Sequence, residues 1–536
     1  MKYQKPLLWD ELLEDITSVE FLLAIKFAGR DFYFSTRPLV LYDKVDQPIQ
    51  YRGGLEAKWT DALNLFNESP TLLSIPINLV FPTDISELVS KGHDLWRGTG
   101  ELSLWIEGRP HEDRVVLING SLTDPSYGAK GERVKFSLEA NGFEDTSLTH
   151  TQTQKVNLLT WLDPAEASID AYYPIVWGTP GIYSLSDGTP ATTYGTPVPV
   201  GKKSLPNAIG IVAGHEVEAT QVTLYNLSMN PVTSVVGNLV TTTDLLDQAV
   251  TTVDLGGAGL SYSPEDEIWA IWDIDGGGAW NDKRTAAVSG AGAVIRYLLR
   301  TSTLKIDLGT WRSLGTYLDQ NFKLSGYIND AISSWKYISN EIIPLLPLSI
   351  YSTPEGIGAS LWRREALKSD AVGTITIGGG TSRIGPVQYE KQTIINDLRL
   401  EFASNAESNK TLRSVGVVGD KEPTESDLFS TEYSRASYLR YGIKSSAIKS
   451  DIIYETATAI NVLQWKHRAS ALPYRVIRYQ VPIRLGFLRR GDLVLLNDKE
   501  LFILDYLCFI RDIEWTNGNP ILSLVLVDDP PRDSRG

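Results

Sequence analysis

Residues 172–181 read YYPIVWGTPG. This apolar run has a proline near its start and a Gly-Thr-Pro-Gly break after it, so it is too short for a helix. It therefore predicts one buried strand that ends in a turn. A second stretch, residues 210–219 (GIVAGHEVEA), predicts another strand followed by a bend. No side chain in residues 172–181 can do chemistry, so this stretch predicts packing and not a reactive site.

Length and composition indicate a soluble protein of several domains. A chain of 536 residues corresponds to about three to four domains at ~150 residues each. Hydrophobic residues at 42% and charged residues at 21% are globular values, so no large part of the chain need be disordered. The single cysteine, Cys508, can form no internal disulfide and cannot hold a metal alone.

The amino-terminal residues and the most apolar short run indicate where the chain is made and whether it crosses a membrane. Acidic residues Asp10 and Glu11 come before any apolar stretch long enough for a signal sequence. We therefore expect synthesis in the reducing cytoplasm of a host cell and no secretion by the usual route. The most apolar short run, residues 342–348, contains two prolines and is far shorter than the ~20 residues of a membrane-spanning helix. We expect no membrane span.

Charge is unevenly distributed along the chain. The net charge of -15 argues against a protein that binds nucleic acid over its whole surface, because phosphates are bound by clustered Lys and Arg. Residues 435–490, however, hold eleven basic residues against two acids. The segment could be a solvated face or could form salt bridges within the chain; it could also dock an acidic neighbouring subunit head to tail, or contact passing DNA. The candidate subunit-contact residues are Arg435, Arg440, Lys444, Arg475, Arg478, Arg484, Arg489 and Arg490.

Strand patterns dominate the first 150 residues. Residues 21–27 and 31–35 flank a short turn and predict a hairpin. Alternating polar and apolar residues predict strands over 100–107 and 133–139. Residues 72–81 are apolar enough for a strand, but Pro76 cannot donate to a ladder, which predicts an edge or bulged position. With a short helix near residues 85–91, this region predicts an antiparallel barrel or sandwich.

The remainder of the chain divides into three further regions. Residues 151–290 predict a second β module rich in Gly, Thr, Ser and Pro. Residues 291–430 predict a mixed region with helices over 291–299 and over 324–342, the second ending at Pro344. Residues 431–536 predict a helix over 452–468 and a final β module, closed by strands over 493–496, 501–504, 508–515 and 521–527 with a hairpin turn at Asn517-Gly518. No internal repeat is clear in the sequence.

These regions together predict a β-rich α+β fold, with several antiparallel β-barrel or sandwich modules and a few amphipathic helices. The four predicted domains are residues 1–150, an amino-terminal tube-like β-barrel; 151–290, a second β module; 291–430, a mixed region with helices; and 431–536, a helix and carboxy-terminal β module.

The chemical motifs in the sequence are weak. His111-Glu112 and His215-Glu216 lack the second histidine of a metalloprotease helix. Gly378-Gly379-Gly380 follows a strand pattern but precedes no phosphate-binding Lys, so it predicts a loop between strands. Asp273 and Asp275 beside three glycines could supply oxygen ligands to a hard cation, although a solvated turn is the better interpretation. We expect no catalytic residue, no cofactor and no structural metal.

Several stretches spread over most of the chain resemble the baseplate hub proteins of tailed bacteriophages. They are patterns of strands, turns and one helix and include no catalytic motif. The stretches are residues 173–181, 210–219, 291–299 followed by 305–307, and 491–495, together with 93–95, 100–102, 126–128 and 134–139.

This resemblance implies a specific architecture and set of partners. Such a hub is a homotrimer at the distal end of the tail tube, in the virion, and each subunit contributes two tube-like β-barrels to a pseudo-sixfold ring. The ring adapts a sixfold tube to a threefold tip, and DNA leaves through its lumen. The implied partners are a distal tail or tube protein on one face, a tip, spike or fibre protein on the other, and the tape-measure protein.

One alternative belongs to another functional class. A tail-tip protein that binds or cleaves host glycans could use exposed tryptophans, of which the chain has fourteen in all, as a sugar platform. Cleavage would require two carboxylates facing each other across a cleft, which sequence cannot locate. Trp105, Trp177, Trp269 and Trp335 stand among apolar neighbours, which favours core packing.

Overall fold

A computed structural model describes most of the chain. The described ranges are 19–57, 59–62, 73–80, 82–128, 132–140, 146–181, 195–204, 206–217, 219–229, 232–272, 288–300, 302–362, 368–389, 394–405, 410–419, 428–515 and 520–527. Asp273, Asp275 and the Asn517-Gly518 turn lie outside these ranges, so the cation and turn predictions for them stay predictions.

The first region forms a seven-stranded antiparallel sheet. Its strand order is β2-β1-β8-β9-β10-β7-β5, and β3 and β4 form a separate hairpin. The elements are β1 Val19–Phe27, β2 Arg30–Ser35, β3 Leu39–Tyr42, β4 Pro48–Tyr51, β5 Leu55–Ala57, β6 Trp59–Ala62, β7 Ser74–Val80, helix α1 Thr83–Ser90, β8 Thr99–Ile106, β9 Val115–Tyr127 and β10 Arg133–Ala140.

Most sequence predictions for this sheet are confirmed, and one is corrected. The predicted hairpin is β1–β2, and the helix near residues 85–91 is α1. Strand β7 is not at the edge, because β5 pairs outside it. Strand β5 ends at Ala57, opposite Ile77, so Pro76 lies one residue beyond that pairing. The missing N–H of Pro76 therefore removes no bond to β5.

The second region forms another seven-stranded antiparallel sheet, in the order β12-β18-β15-β16-β17-β14-β13. Strand β11 stands apart from this sheet. The elements are β11 Ile175–Trp177, β12 Thr196–Pro197, β13 Val200–Lys202, β14 Ile209–Ala213, β15 Gln221–Asn226, β16 Thr233–Thr243, β17 Ala249–Asp254 and β18 Ile268–Ile271.

The two large sheets share one strand order. In the first, five strands run β8-β9-β10-β7-β5; in the second, five run β15-β16-β17-β14-β13. In each, three consecutive strands form a meander, and the strand that precedes the meander returns to pair with its last member. All of these pairs are antiparallel, and the central strand is the longest of its sheet, with 13 residues in β9 and 11 in β16. The fold thus repeats a topology that the sequence does not reveal.

A helical unit follows, with its own small sheets. Strands β24 to β27 form a four-stranded sheet against which helix α6 packs. The elements are α2 Ala291–Arg300, α3 Leu308–Asn321, β19 Gly326–Ile328, α4 Ser334–Tyr337, β20 Leu348–Thr353, β21 Gly356–Leu361, β22 Gly373–Thr376, β23 Ser382–Tyr389, β24 Asp397–Asn405, β25 Lys410–Val417, β26 Leu428–Phe429, α5 Glu432–Tyr441, β27 Ser445–Lys449 and α6 Thr456–Ser470.

The helix predictions in this unit are partly confirmed. Helices α2 and α6 match the predictions over 291–299 and 452–468. The helix predicted over 324–342 is wrong in its first half, where β19 pairs with β11. Only α4 and the π-helix after it, Ile338–Ile342, are helical there. A buried strand and a buried helix carry similar apolar side chains, so periodicity alone did not separate them.

The last sheet completes the fold, in the order β22-β29-β30-β31-β28-β23. Its remaining strands are β28 Arg475–Gln480, β29 Leu493–Asp498, β30 Ile503–Trp515 and β31 Ile521–Leu526. The strand predicted over 501–504 is confirmed in its second half, where β30 begins at Ile503. Its first half is not a strand, because a 3-10 turn ends at Leu501 and Phe502 is left-handed. Strand β6, from the first region, pairs with β30, and Phe21 meets Trp515 edge to face with ring centroids 6.3 Å apart. The first and last sheets therefore share one hydrophobic core.

Strand β11 lies where two cores meet. Ile175 and Trp177 pack into the core of the helical unit, whereas Val176 packs into the core of the second sheet. Successive side chains of a strand point to opposite faces, so one short strand fills both cores. The prediction of a buried strand ending in a turn is confirmed, and Gly178 makes the turn with φ +62°. The fold is β-rich α+β, as the sequence predicts.

Candidate functional site

The basic segment is divided among several elements of the fold. Arg435 and Arg440 lie on α5, and Lys444 follows that helix; all three are exposed. The other five candidate residues belong to the last sheet and its connections and are more deeply buried. Arg475 and Arg478 lie on β28, Arg484 lies in the 3-10 turn Ile483–Leu485, and Arg489 and Arg490 precede β29. Only the first three of the eight candidates are exposed. The role of all eight in subunit contact stays a prediction.

One buried asparagine fixes the backbone between the end of α5 and Lys444. Asn396, which is fully buried, donates from Nδ2 to Ser437 Oγ at 2.9 Å and to Gly442 O at 2.8 Å. Its Oδ1 accepts from the N–H of Lys444 at 2.8 Å, and its own N–H donates to the Lys444 carbonyl at 3.0 Å. Gly442 makes the turn with φ +65°. Residues 439–445 are all exposed, yet their backbone is fixed to the protein interior.

Exposed apolar side chains accompany these cations. Leu439, Tyr441 and Ile443 are 66%, 38% and 64% exposed. We call these three residues the helix-end patch. Leu439 and Tyr441 are two positions apart on α5, so their side chains leave the helix on different sides, and Ile443 follows the helix. Sequence analysis found the charges of this region and missed its apolar side chains.

A second apolar surface lies on the second β module, and sequence analysis missed it entirely. Two loops present five exposed leucines, which we call the leucine patch. Their exposed fractions range from 44% to 83%. The leucine patch consists of Leu158, Leu159, Leu162, Leu245 and Leu246.

The two loops of the leucine patch are bonded to each other. The N–H of Leu245 donates to the carbonyl of Thr160 at 3.0 Å. Asn157 Oδ1 accepts from the N–H of Leu159 at 2.8 Å, which closes an Asx turn. Tyr173 anchors both loops, since its hydroxyl donates to Asp244 Oδ2 at 2.9 Å and accepts from Trp161 Nε1 at 3.1 Å. The only sign of the leucine patch in the sequence was a group of three leucines, Leu158, Leu159 and Leu162, between polar turn residues.

Arg489 and Arg490 line a cavity between the first sheet, β20 and the last sheet. Its volume is about 90 Å³, and Val116, Ser352 and Trp515 are among its walls. Arg490 is only 2% exposed; it donates to the Ser352 carbonyl at 3.0 Å, and its guanidinium lies 4.8 Å from the centroid of the Tyr351 ring. A guanidinium over an aromatic face within ~6 Å is a cation–π contact. Arg490 therefore joins the units of this chain to one another.

The neighbouring acids complete this junction. Asp307 caps α3 by accepting from the N–H groups of Gly309 and Thr310, and its Oδ2 lies 3.9 Å from Arg489 Nη1. Asp492 accepts from the Arg489 N–H at 2.7 Å. Burial raises the pKa of Asp492 to about 6, although the Arg489 backbone bond and charge oppose this shift. The junction is an internal network of hydrogen bonds and charges.

The two stretches that opened the sequence analysis are joined directly. His215 Nε2 accepts from the Val176 N–H at 3.0 Å, and Gly214 N–H donates to the Pro174 carbonyl at 2.8 Å. Because Nε2 accepts, the proton of the neutral ring is on Nδ1, which donates to the Glu216 carbonyl at 3.0 Å. Burial lowers the pKa of His215 to about 4. His215 thus acts as a neutral bridge between the two stretches.

Within the described ranges, no three His, Cys, Asp or Glu side chains are grouped so that they could hold a metal ion. Cys508 is fully buried in β30. Gly378, Gly379 and Gly380 form the predicted loop between strands, all with positive φ. None of the described helices is both long and apolar enough to cross a bilayer.

Comparison with known proteins gives structural matches only. No family model matches the chain, and no curated protein matches it. The tail protein from Neisseria meningitidis MC58 is similar over 95% of this chain and 99% of its own, with 9% identity and a TM-score of 0.36. The prophage MuSo2 43 kDa tail protein from Shewanella oneidensis is similar over 95% and 98%, also with 9% identity and a TM-score of 0.36. Prophage tail protein gp18 from Listeria monocytogenes EGD-e is similar over 94% of both chains, with 8% identity and a TM-score of 0.34.

Proposed function

We propose that this chain is a structural, non-enzymatic subunit of a phage tail, and specifically its baseplate hub. Three copies would form a ring that closes the distal tail tube and adapts sixfold to threefold symmetry for DNA ejection. The observation that carries the proposal is the repeated strand order, β8-β9-β10-β7-β5 and β15-β16-β17-β14-β13, within one chain. The sequence resemblance to phage hubs supports the same function.

The repeated topology supports a ring in which symmetry changes from one face to the other. Three chains with two similar sheets each would present six similar sheets around one axis. A sixfold tube could stack on such a face with nearly equivalent contacts at all six positions. The helical unit occurs once per chain, so a face built from it would be threefold. One protein would thereby contact a sixfold neighbour and a threefold neighbour.

The proposed partners follow from these two faces. A distal tail or tube protein would bind the sixfold face, and a tip, spike or fibre protein would bind the threefold face. The tape-measure protein and DNA would occupy the lumen at the tail tip of the virion. The net charge of -15 supports this role, because an acidic channel wall repels phosphates and lets DNA pass without sticking.

Mass measurement of the purified full chain tests the proposal. We expect an assembly of three times the 59.3 kDa chain mass, measured by light scattering and native mass spectrometry. Electron-microscopic averaging of that assembly should show threefold symmetry with six similar β densities around a lumen. A chain that stays strictly monomeric, alone and with tail proteins, would contradict the hub. If that monomer also bound host glycans, the glycan-binding alternative would replace it.

A further inference from the structure

A strained and exposed phenylalanine lies at the tip of the hairpin between β29 and β30. Phe502 is 89% exposed, more than any other large apolar side chain among the described residues. Its backbone is left-handed, with φ +57°. For a bulky residue this conformation is an outlier, because the Cβ crowds a carbonyl oxygen, and such outliers cluster at functional sites. The fold thus holds an aromatic ring in water at a cost in free energy.

Buried hydrogen bonds hold this tip in place. Asp498 is fully buried, and its Oδ1 accepts from the N–H groups of Glu500 at 3.0 Å and Leu501 at 3.2 Å. Its Oδ2 accepts from the Tyr479 hydroxyl at 2.8 Å and from Arg383 Nη1 at 3.1 Å. A surface that is already ordered loses little conformational entropy when a partner covers it. The tip is therefore prepared for docking in the free chain.

The residues around the ring favour a protein pocket over a lipid surface. The exposed charged residues of the tip are Lys499, Glu500 and Asp505, two acids and one base. An anionic membrane attracts clusters of basic residues, and this tip has no such cluster. In protein interfaces, by contrast, single aromatic side chains that fill a pocket carry much of the binding energy. The tip is thus suited to a protein pocket that takes one ring.

The same chain has a cavity of suitable size and lining. The cavity beside Arg489 has a volume of about 90 Å³, is partly open to solvent, and has Leu117, Ile513 and Trp515 among its walls. An apolar cavity of ~150 Å³ takes a whole benzene molecule, so this smaller one can take the leading edge of a phenyl ring. A guanidinium such as that of Arg489 also attracts the face of an aromatic ring.

The ring and the cavity lie at opposite ends of β30. Phe502 directly precedes this strand, whereas Ile513 and Trp515 lie at its far end. At about 3.3 Å per residue, the 13 residues of the strand span roughly 40 Å. The ring therefore cannot reach the cavity of its own chain.

We propose that Phe502 of one copy of this chain enters this cavity in the next copy. An exposed apolar group and a complementary pocket elsewhere on the same molecule make a head-to-tail contact, which closes into a ring when the rotation permits. The occupant is a second copy because one chain carries both halves of the contact, and only different copies can bring them together. This inference rests on the proposed hub function and names the contact that builds its ring.

Removal of the aromatic side chain tests this contact. Phe502→Gly should be monomeric at a concentration where the unmodified chain is trimeric. Glycine adopts a positive φ readily, so the thermal unfolding midpoint of the dilute, monomeric chain should stay equal or rise. Val45→Ala, which shortens another exposed apolar side chain, should still form trimers. A lower midpoint for monomeric Phe502→Gly would show that the ring supports its own chain and would overturn the inference.

Cross-linking between two single-cysteine variants locates the contact. Leu504→Cys lies beside Phe502 and leaves it intact, and Glu355→Cys is exposed beside Pro354 in the cavity wall. The mixture should give a subunit-to-subunit product with a short bismaleimide, and each variant alone should give none. Background should be low because Cys508 is fully buried. A product from Leu504→Cys alone would indicate a twofold contact and would overturn the inference, as would mixed trimers without any product.

Three further outcomes separate this inference from its alternatives. If Phe502→Gly still forms trimers, this inference fails and the hub proposal stands. If the unmodified chain never forms trimers, both fail. Sedimentation with phosphatidylserine vesicles tests the lipid alternative. Vesicle binding by the unmodified chain that is lost in Phe502→Gly would assign the ring to a membrane surface and overturn the inference.

Discussion

The first and second large sheets have the same order over five strands, but they close their cores differently. The second sheet packs around its own residues, with Val176 of β11 added from outside. The first shares a continuous core with the last sheet, which begins more than 230 residues later in the chain, and β6 pairs with β30 between them. One face of an antiparallel sheet must be covered, and the covering element can come from anywhere in the chain. Two sheets with the same strand order can therefore differ in whether each has a hydrophobic core of its own.

Matched Leu→Ala substitutions in the two cores should reveal this difference with the largest effect. Leu524 in the shared core and Leu224 in the second core are both fully buried. Leu524→Ala and Leu224→Ala should each reduce the free energy of unfolding by about 2–5 kcal/mol, because each leaves a cavity. Hydrogen exchange should show faster opening of residues 19–140 and 475–526 together in Leu524→Ala, and of residues 209–254 alone in Leu224→Ala. Loss of protection confined to residues 475–526 in Leu524→Ala would refute the shared core.

A glycine substitution in the turn after β11 tests how tightly this strand is held against the helical unit. In Gly178→Ala, the new Cβ would lie 2.4 Å from Ser325 Oγ and 2.6 Å from the Leu324 carbonyl, at φ +62°. We expect a loss of about 2–4 kcal/mol, from this clash and the left-handed backbone. Gly259→Ala is the control, because its φ is +78° and nothing lies within 4 Å of the new Cβ. It should cost only about 1 kcal/mol in urea unfolding. If both variants lost the same free energy of unfolding, the residues around Gly178 would have to move aside for the new Cβ at no cost.

Acid should weaken the second sheet through His215. Its folded pKa of about 4 lies below the unfolded value of 6.5, so the unfolded chain binds more protons between these pH values. The stability that neutral His215 contributes is complete above pH 6.5 and is lost as pH falls toward 4, by about 3 kcal/mol. His215→Gln keeps an acceptor for the Val176 N–H and has no such titration. Urea unfolding at pH 7 and pH 4 should therefore show a smaller acid loss in the variant; identical losses would exclude this mechanism.

Local patterns predicted many elements of the fold but not the surfaces that the candidate site uses. Polar and apolar residues alternate over 133–139, and apolar residues over 291–299 lie on one helix face. Each pattern was enough to predict its element, because one face is buried and the other is not. The stretch over 324–342 was misassigned because the apolar residues of β19 and of the helical turns after it happen to recur at helical spacing, although exposed Asn329 and Asp330 separate them. The helix-end and leucine patches were missed for a related reason. Leu439 and Leu162 are indistinguishable from core residues until the chain around them is folded.

The sequence by itself determined the β-rich α+β class, the buried strand at residues 172–181, and the basic stretch from Arg435 to Arg490. These depend on residue type and on neighbours a few positions away. Only the tertiary structure decided that Val176 and Trp177 enter different cores, that the first and last sheets share one, and that Arg490 is buried while Lys444 is exposed. Such outcomes depend on contacts between residues hundreds of positions apart, and short-range periodicity carries no information about them.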